Sequence, residues 1–247
     1  MTEETYVEVL SKNYTKRESD GKFNVSLPTE LHNYRYVNLQ SVTFPNAIYN
    51  INSNNNVLYW NDNATTALTS TIPVGQYDIS NLITEINYQM SVAVGKDANT
   101  YTIELVANTS TALTVSNKLK FVASTGNIAL RAGDNSILNT LGFLEKAYGA
   151  ATSQTAPNTY NLSVTKVYLE HNLPTINNLY KGAEFQDYFI IQLDNYGMVS
   201  RNADLRQMMK SLSKTNISSI DLNLVDENAK PVTNNGVPWS VLFKFVK

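Results

Sequence analysis

VNLQSVTFPNAIYNINSNNNVLYW, residues Val37–Trp60, is the stretch on which the reading of the fold turns. Its first eight residues read as a strand with one fault in it. Val37 and Leu39 share a face by the two-residue period of a strand, and Val42 and Phe44 are then off by one. One extra residue near Gln40 or Ser41 returns all four to the same side, which is what a β-bulge does. Pro45 closes the run, because proline has no N–H to give to a sheet ladder. Six asparagines follow within Asn46–Asn56, threaded with Ile48, Tyr49 and Ile51. Asparagine tolerates left-handed backbone and hydrogen-bonds its own turn, so the segment reads as a crossover between strands. Apolar side chains in an uncharged, hydrogen-bonding surround are equally the make-up of a protein contact.

Strand alternation recurs outward from this stretch. FNVSL (Phe23–Leu27) alternates, YTIEL aligns Tyr101, Ile103 and Leu105, and KLKFV sets Leu119 and Phe121 between lysines. TKVYLE places Val167 and Leu169 on one side, and SIDLNLVD sets Ile220, Leu222 and Leu224 against Asp221 and Asn223. The closing WSVLFKFVK aligns Trp239, Val241, Phe243 and Phe245. YFIIQLD (Tyr188–Asp194) starts apolar on both faces and reads as a central strand. DENAKPVTNNGVP (Asp226–Pro238) looks like a hairpin connection, which makes the last two strands antiparallel neighbours. Many short strands between Asn, Gly, Pro and Ser turns predict an all-β sandwich or barrel, not a βαβ fold.

Helical spacing interrupts the strands. Ile79, Leu82, Ile83, Ile86 and Met90 follow the i, i+3, i+4, i+7 rhythm, with Asp78 as N-cap, Tyr77 placed to staple onto Leu82, and Gly95 beyond the end. GDNSILNTLGF (Gly133–Phe143) predicts a short helix capped by Asp134 or Asn135, with Gly142 in the left-handed C-cap position. NADLRQMMKSL (Asn202–Leu212) spaces Leu205, Met208, Met209 and Leu212 helically. TSQTAPNT (Thr152–Thr159) reads as a flexible loop. With 247 residues, no internal repeat and no long linker, the expectation is one domain over 22–247, preceded by a strand or arm over 1–21.

Composition restricts function. Charged residues are 16% of the chain, below the usual quarter, and the net charge is −2. No broad cationic field is available for nucleic acid or an anionic membrane. No cysteine is present, so disulfides and thiolate metal sites are out. The N-terminal MTEETYVEVL lacks the pattern of a signal peptide, and no apolar run approaches a membrane span. The sequons at Asn13, Asn24 and Asn216 are matches by pattern in an Asn/Ser/Thr-rich chain.

Catalysis lacks materials. His32 and His171 stand apart in sequence, no metal-binding spacing occurs, and the Gly95–Lys96 pair lacks the rest of a phosphate loop. Glu85, Glu104, Glu145, Glu170 and Glu184 are the carboxylates available to a paired-acid hydrolase, and each reads more simply as a solvent-facing acid. The expectation is a non-enzyme with no catalytic residue, cofactor or metal. Aromatics make up 10%, mostly tyrosine. Tyr49, Tyr59 and Tyr148 suit half-buried strand positions, a protein interface or a sugar-stacking cleft.

Four segments in order, Val37–Asn52, Ile72–Asn87, Asn135–Phe143 and Asn216–Phe245, resemble the penton, or minor capsid, proteins of virophages and polinton-like DNA viruses. The shared features are a core strand ending in proline before YNI, a G-x-Y turn opening a helix, a short helix ending in LGF, and an I-x-L-x-D-E strand with a tryptophan-led last strand. The resemblance implies a single jelly roll of two four-stranded antiparallel sheets with short helices in its connections, modest loops and no large inserted domain. It implies a non-catalytic homopentamer at icosahedral fivefold vertices of the virion, made in the infected host cell. The partners it implies are the chain's own copies, a double-jelly-roll major capsid protein and a host receptor or glycan. A carbohydrate- or receptor-binding viral β-sandwich is the alternative. Within a ring of five, Ile48, Tyr49, Asn50 and Ile51 are the expected subunit contacts.

Overall fold

The computed structural model describes residues 3–14, 16–17, 22–63, 66–95, 100–107, 115–175, 188–193, 198–202, 209–213 and 216–247. The chain divides into two compact units, the first made of Met1–Ile48 and Val164–Lys247 and the second of Tyr49–Ser163.

The first unit begins with β1 (Glu4–Leu10), β2 (Lys16–Arg17), β3 (Lys22–His32) and β4 (Tyr36–Pro45). The second contains β5 (Val57–Asp62), β6 (Thr66–Thr71), α1 (Ile79–Val94), β7 (Tyr101–Ala107), β8 (Val115–Ala123), β9 (Ile128–Arg131), β10 (Tyr148–Ala151) and β11 (Ser153–Thr155). The chain then returns to the first unit with β12 (Lys166–His171), β13 (Tyr188–Gln192), β14 (Met198–Asn202), β15 (Met209–Ser211), β16 (Asn216–Val225) and β17 (Ser240–Val246).

The first unit is an antiparallel sandwich. One sheet runs β1-β17-β4-β14, with β15 also on β4, and the other runs β13-β12-β16-β3-β2. β14 and β15 lie along successive stretches of the same β4 edge, at Ser41–Pro45 and Tyr36–Asn38. With β2 and β15 set aside, eight strands remain. Counted 1 to 8 in chain order, they lie 1-8-3-6 in one sheet and 5-4-7-2 in the other. First pairs with last, second with second-last, and strands three and four sit in opposite sheets; this is the double Greek key of a jelly roll. The all-β, single-jelly-roll expectation is what this unit builds.

β4 holds the centre of its sheet through the bulge anticipated from its sequence. Ser41 faces Leu242 and Leu39 faces Phe243, so Gln40 has no partner across the ladder. Its insertion resets the alternation, and Val37, Leu39, Val42 and Phe44 are all buried. They meet Val241, Phe243 and Phe245 of their own sheet and Phe23, Leu169, Phe189 and Leu222 of the other in one core. Trp239 locks the layers together, with its ring 5.2 Å from Phe23 and 6.0 Å from Phe44. At the start of the chain, β1 pairs with β17 from Glu4↔Val246 to Leu10↔Ser240.

Several expectations are corrected. The last two strands are not neighbours: β16 pairs with β3 and β12, β17 with β1 and β4. The connection makes two turns rather than one. The first closes from Ala229 N to Asp226 O, and the second, with Asn235 and Gly236 at positive φ, closes from Val237 N to Asn234 O. Two turns in series carry the chain across to the opposite sheet. β13 ends its sheet among the described residues, and Ile190 is exposed, so YFIIQLD is not central. Met209–Ser211 is a strand on β4, not the end of a helix, and residues 203–208 of that candidate lie outside the described residues.

The largest correction is the insertion. The connection between β4 and β12 is not a modest loop but the whole second unit. Its two sheets run β10-β9-β5-β6 and β11-β8-β7, with α1 beside them. It has its own core, including Ile51, Trp60, Leu82, Ile86, Phe121, Leu141 and Phe143, and among the described residues the two cores have no buried residue in common. Alternation of apolar residues reports that a strand is half-buried, not in which core, so two cores read as one.

α1 matches its sequence signals. Asp78 accepts from Asn81 N at 2.7 Å, Gly95 ends the helix at φ +63°, and Leu82, Ile86 and Met90 are buried. GDNSILNTLGF forms turns rather than a helix. Gly142 sits at φ +84°, with Phe143 N bonded to Leu138 O (2.9 Å) and Gly142 N to Asn139 O (3.1 Å), which is a Schellman closure. At the start of this turn Ser136 Oγ accepts from Leu138 N. TSQTAPNT is not a plain loop, since β11 pairs with β8 and Ala156 is buried.

Tyr101 of the second unit lies 5.0 Å from the Trp60 ring and donates its hydroxyl to the Asp62 carboxylate. Burial first, and the neighbouring carboxylate second, push its pKa up to about 12. An unfolded tyrosine ionises near 10. The raised folded value therefore contributes stability that is complete below pH 10 and is lost as pH rises toward 12. Alkaline unfolding followed by Trp60 emission should show this loss between pH 10 and 12, and Tyr101→Phe should flatten it.

Candidate assembly surface

The stretch after Pro45 joins the two units, and its side chains are engaged within the chain. Ile48 is 6% exposed and belongs to the first core; Ile51 is fully buried in the second. Neither offers surface to a neighbouring subunit. Asn50 is buried too, and its amide clamps a backbone peptide: Nδ2 donates to Tyr77 O (2.7 Å) and Oδ1 accepts from Tyr77 N (2.9 Å). Of the four expected contact residues only Tyr49, 38% exposed, remains at the surface. The crossover reading of this segment is the one that fits.

Three more asparagines of the segment have the same occupation. Asn52 Oδ1 accepts from Asn54 N, Asn55 Oδ1 from Asn52 N, and Asn56 Nδ2 donates to Ile72 O. In the first unit Asn234 accepts from Ala47 N and donates to Val237 O, and Asn235 donates to Ala47 O. Asn87 repeats the clamp on β7, accepting from Ile103 N and donating to Ile103 O. An amide carries an acceptor and donors, so one side chain satisfies both the N–H and the C=O of a single residue. Asn50→Ala removes both bonds from a buried site and is expected to cost about 2 kcal/mol. Urea denaturation measures this, and an unchanged midpoint would show the clamp to be idle.

The residues weighed for catalysis are dispersed. Glu85 accepts from Gln89, Glu104 pairs with Lys120 at 2.8 Å, Glu145 accepts from Asn139, and Glu170 accepts from Asn223. Glu184 lies outside the described residues. His32 bonds Asn216 at the surface, and His171 is packed 4.8 Å from the Phe189 ring. Among the described residues no group of three or more His, Cys, Asp and Glu is placed to hold a metal, and no helix is long and apolar enough to cross a membrane. Tyr59 lies in β5 with its hydroxyl on Asp134 O, and Tyr148 packs edge-on to Phe143.

No family model matches this sequence, and no curated protein matches it. Among solved structures, the chain is similar to the crystal structure of the selenomethionine-labelled mavirus penton protein. That likeness covers 99% of both chains at a TM-score of 0.47 and 11% identity.

Among the described residues, the two most exposed large apolar side chains lie on α1. Tyr88 and Val92 are each 58% exposed, one helical turn apart. The signal was present: the sixteen-residue helix carries a single charged residue, Glu85. A surface helix ordinarily sets charges opposite its buried stripe.

Proposed function

We propose that this chain is a structural virion protein, a capsomer that closes as a homopentamer at the fivefold vertices of an icosahedral capsid, with no catalysis of its own. The observation that carries the reading is the 1-8-3-6 and 5-4-7-2 strand order of the first unit. A jelly roll hosts many functions, so the order alone does not select this one. The sequence resemblance selects it. Its four segments fall on β4 and its exit, the entry to α1, the Schellman turn, and β16 through β17. A double-jelly-roll major capsid protein is the expected neighbour in the shell, and the capsid vertex the expected location.

Native mass spectrometry of the purified chain over a range of concentrations tests this. A species near five times 27.5 kDa supports the pentamer. A monomer at every concentration removes self-assembly in solution from the proposal. A trimer points to a receptor-binding spike instead, and glycan binding is then the next measurement.

A further inference from the structure

We propose that Asn235 is a self-modification site, where the chain converts its own side-chain amide to a carboxylate and so releases Ala47. Asn235–Gly236 is the one Asn-Gly pair in the sequence; every other asparagine precedes a residue with a side chain. The pair forms the centre of a turn closed by Val237 N on Asn234 O at 3.0 Å. Asn235 sits at φ +51° and Gly236 at φ +75°, the two positive values of a type I′ turn. Both residues are exposed, and a Cβ built on Gly236 meets nothing within 4 Å. Glycine carries no side chain to shield its own nitrogen, so Gly236 N can approach Asn235 Cγ closely.

The reaction needs only base and water. Gly236 N gives its proton to hydroxide and attacks Asn235 Cγ. The new N–Cγ bond closes a succinimide ring, the Cγ–Nδ2 bond breaks, and Nδ2 takes up a proton and leaves as ammonia. Water then opens the ring at either carbonyl, giving aspartate or isoaspartate. Nothing is oxidised or reduced.

The fold sets the timing and the consequence. Asn234 Oδ1 accepts from Ala47 N at 3.1 Å, Asn234 Nδ2 donates to Val237 O at 2.9 Å, and Asn235 Nδ2 donates to Ala47 O. Thr233 Oγ1 accepts from Asn235 N at 3.1 Å. These bonds hold the turn on Ala47, beside Ile48, where the chain leaves the first unit. Ring closure must swing the Asn235 amide off Ala47 and onto Gly236 N, so it waits for the clamp to open. Afterwards a carboxylate, which only accepts, stands where the donor stood. It faces Ala47 O oxygen to oxygen, and the clamp does not re-form.

The test ages the folded full-length chain in mildly alkaline buffer and follows every asparagine by peptide mapping and isoaspartyl methyltransferase labelling. Asn235 is expected to convert about tenfold or more faster than any other asparagine, a barrier lower by roughly 1.4 kcal/mol. Asn234→Ala, which opens the clamp and keeps the Asn-Gly pair, is expected to convert faster still. Asn235→Asp is expected to speed hydrogen exchange at the Ala47 amide. An Asn235 that ages no faster than the other asparagines overturns the proposal. A rate unchanged in Asn234→Ala, or unchanged exchange at Ala47 in Asn235→Asp, overturns the part given to the clamp. Circular dichroism checks that each variant is folded; if Asn234→Ala is not, the milder Thr233→Val, which removes the bond to Asn235 N, decides.

Discussion

Gly142→Ala lowers the stability of the second unit by about 2–5 kcal/mol, the sum of two separate penalties. Gly142 sits at φ +84°, and forcing an L-residue into left-handed backbone costs roughly 1–2 kcal/mol. A Cβ added there lies 2.5 Å from Asn158 O and 2.8 Å from Thr159 O. Both are backbone atoms, and Asn158 N already bonds to Gly142 O at 3.1 Å, so neither can yield without breaking that bond. Overpacking of this kind costs about 1–3 kcal/mol. The turn also presents Leu138, Leu141 and Phe143 to the core, so its displacement disturbs three buried side chains. Thermal unfolding followed by Trp60, in the same core, reads the loss in a Trp239→Phe background. Gly149→Ala is the control. A Cβ there meets nothing within 4 Å, and the change is expected within about 0.5 kcal/mol. Equal effects of the two substitutions would refute the backbone argument.

Phe243→Ala is expected to cost the first unit about 3–5 kcal/mol, the range for emptying a phenylalanine site in a packed core. Phe243 is fully buried on β17, beside the bulged position of β4, with Phe189 of the opposite sheet 5.9 Å away and Phe245 at 6.4 Å. Its neighbours are held by two sheets and close over the void only in part. Trp239, in the same core, reports unfolding when Trp60 is replaced by Phe. A midpoint within experimental error of the parent would mean that the two sheets repack over the site. Phe243→Leu, which keeps most of the volume, is expected to recover most of the loss.

Periodicity and turn chemistry made the local structure legible before any coordinates. The bulge at Gln40 follows from a one-residue change of phase between Leu39 and Val42. The ends of α1 follow from Asp78 and Gly95, and the left-handed Gly142 from its place after an apolar turn. These are decided within a few residues by backbone sterics and by which side chains can replace a missing partner, so the sequence alone determined them. It also determined the all-β class, through the repeated two-residue alternation.

Tertiary structure decided what depends on distant residues. Ile48 and Ile51 are three positions apart and chemically alike, yet one belongs to each core, because membership is set by strands distant in the sequence. The asparagines after Pro45 announced a turn-rich segment, but not that their amides would close on backbone such as Tyr77 rather than on a neighbouring subunit. Hydrogen bonding gives an amide no preference between the two until the fold brings one within 3 Å. The division into two units was hidden for the same reason: burying an apolar side chain is non-directional, so its pattern records that a residue is inside, and only the paired strands decide inside what.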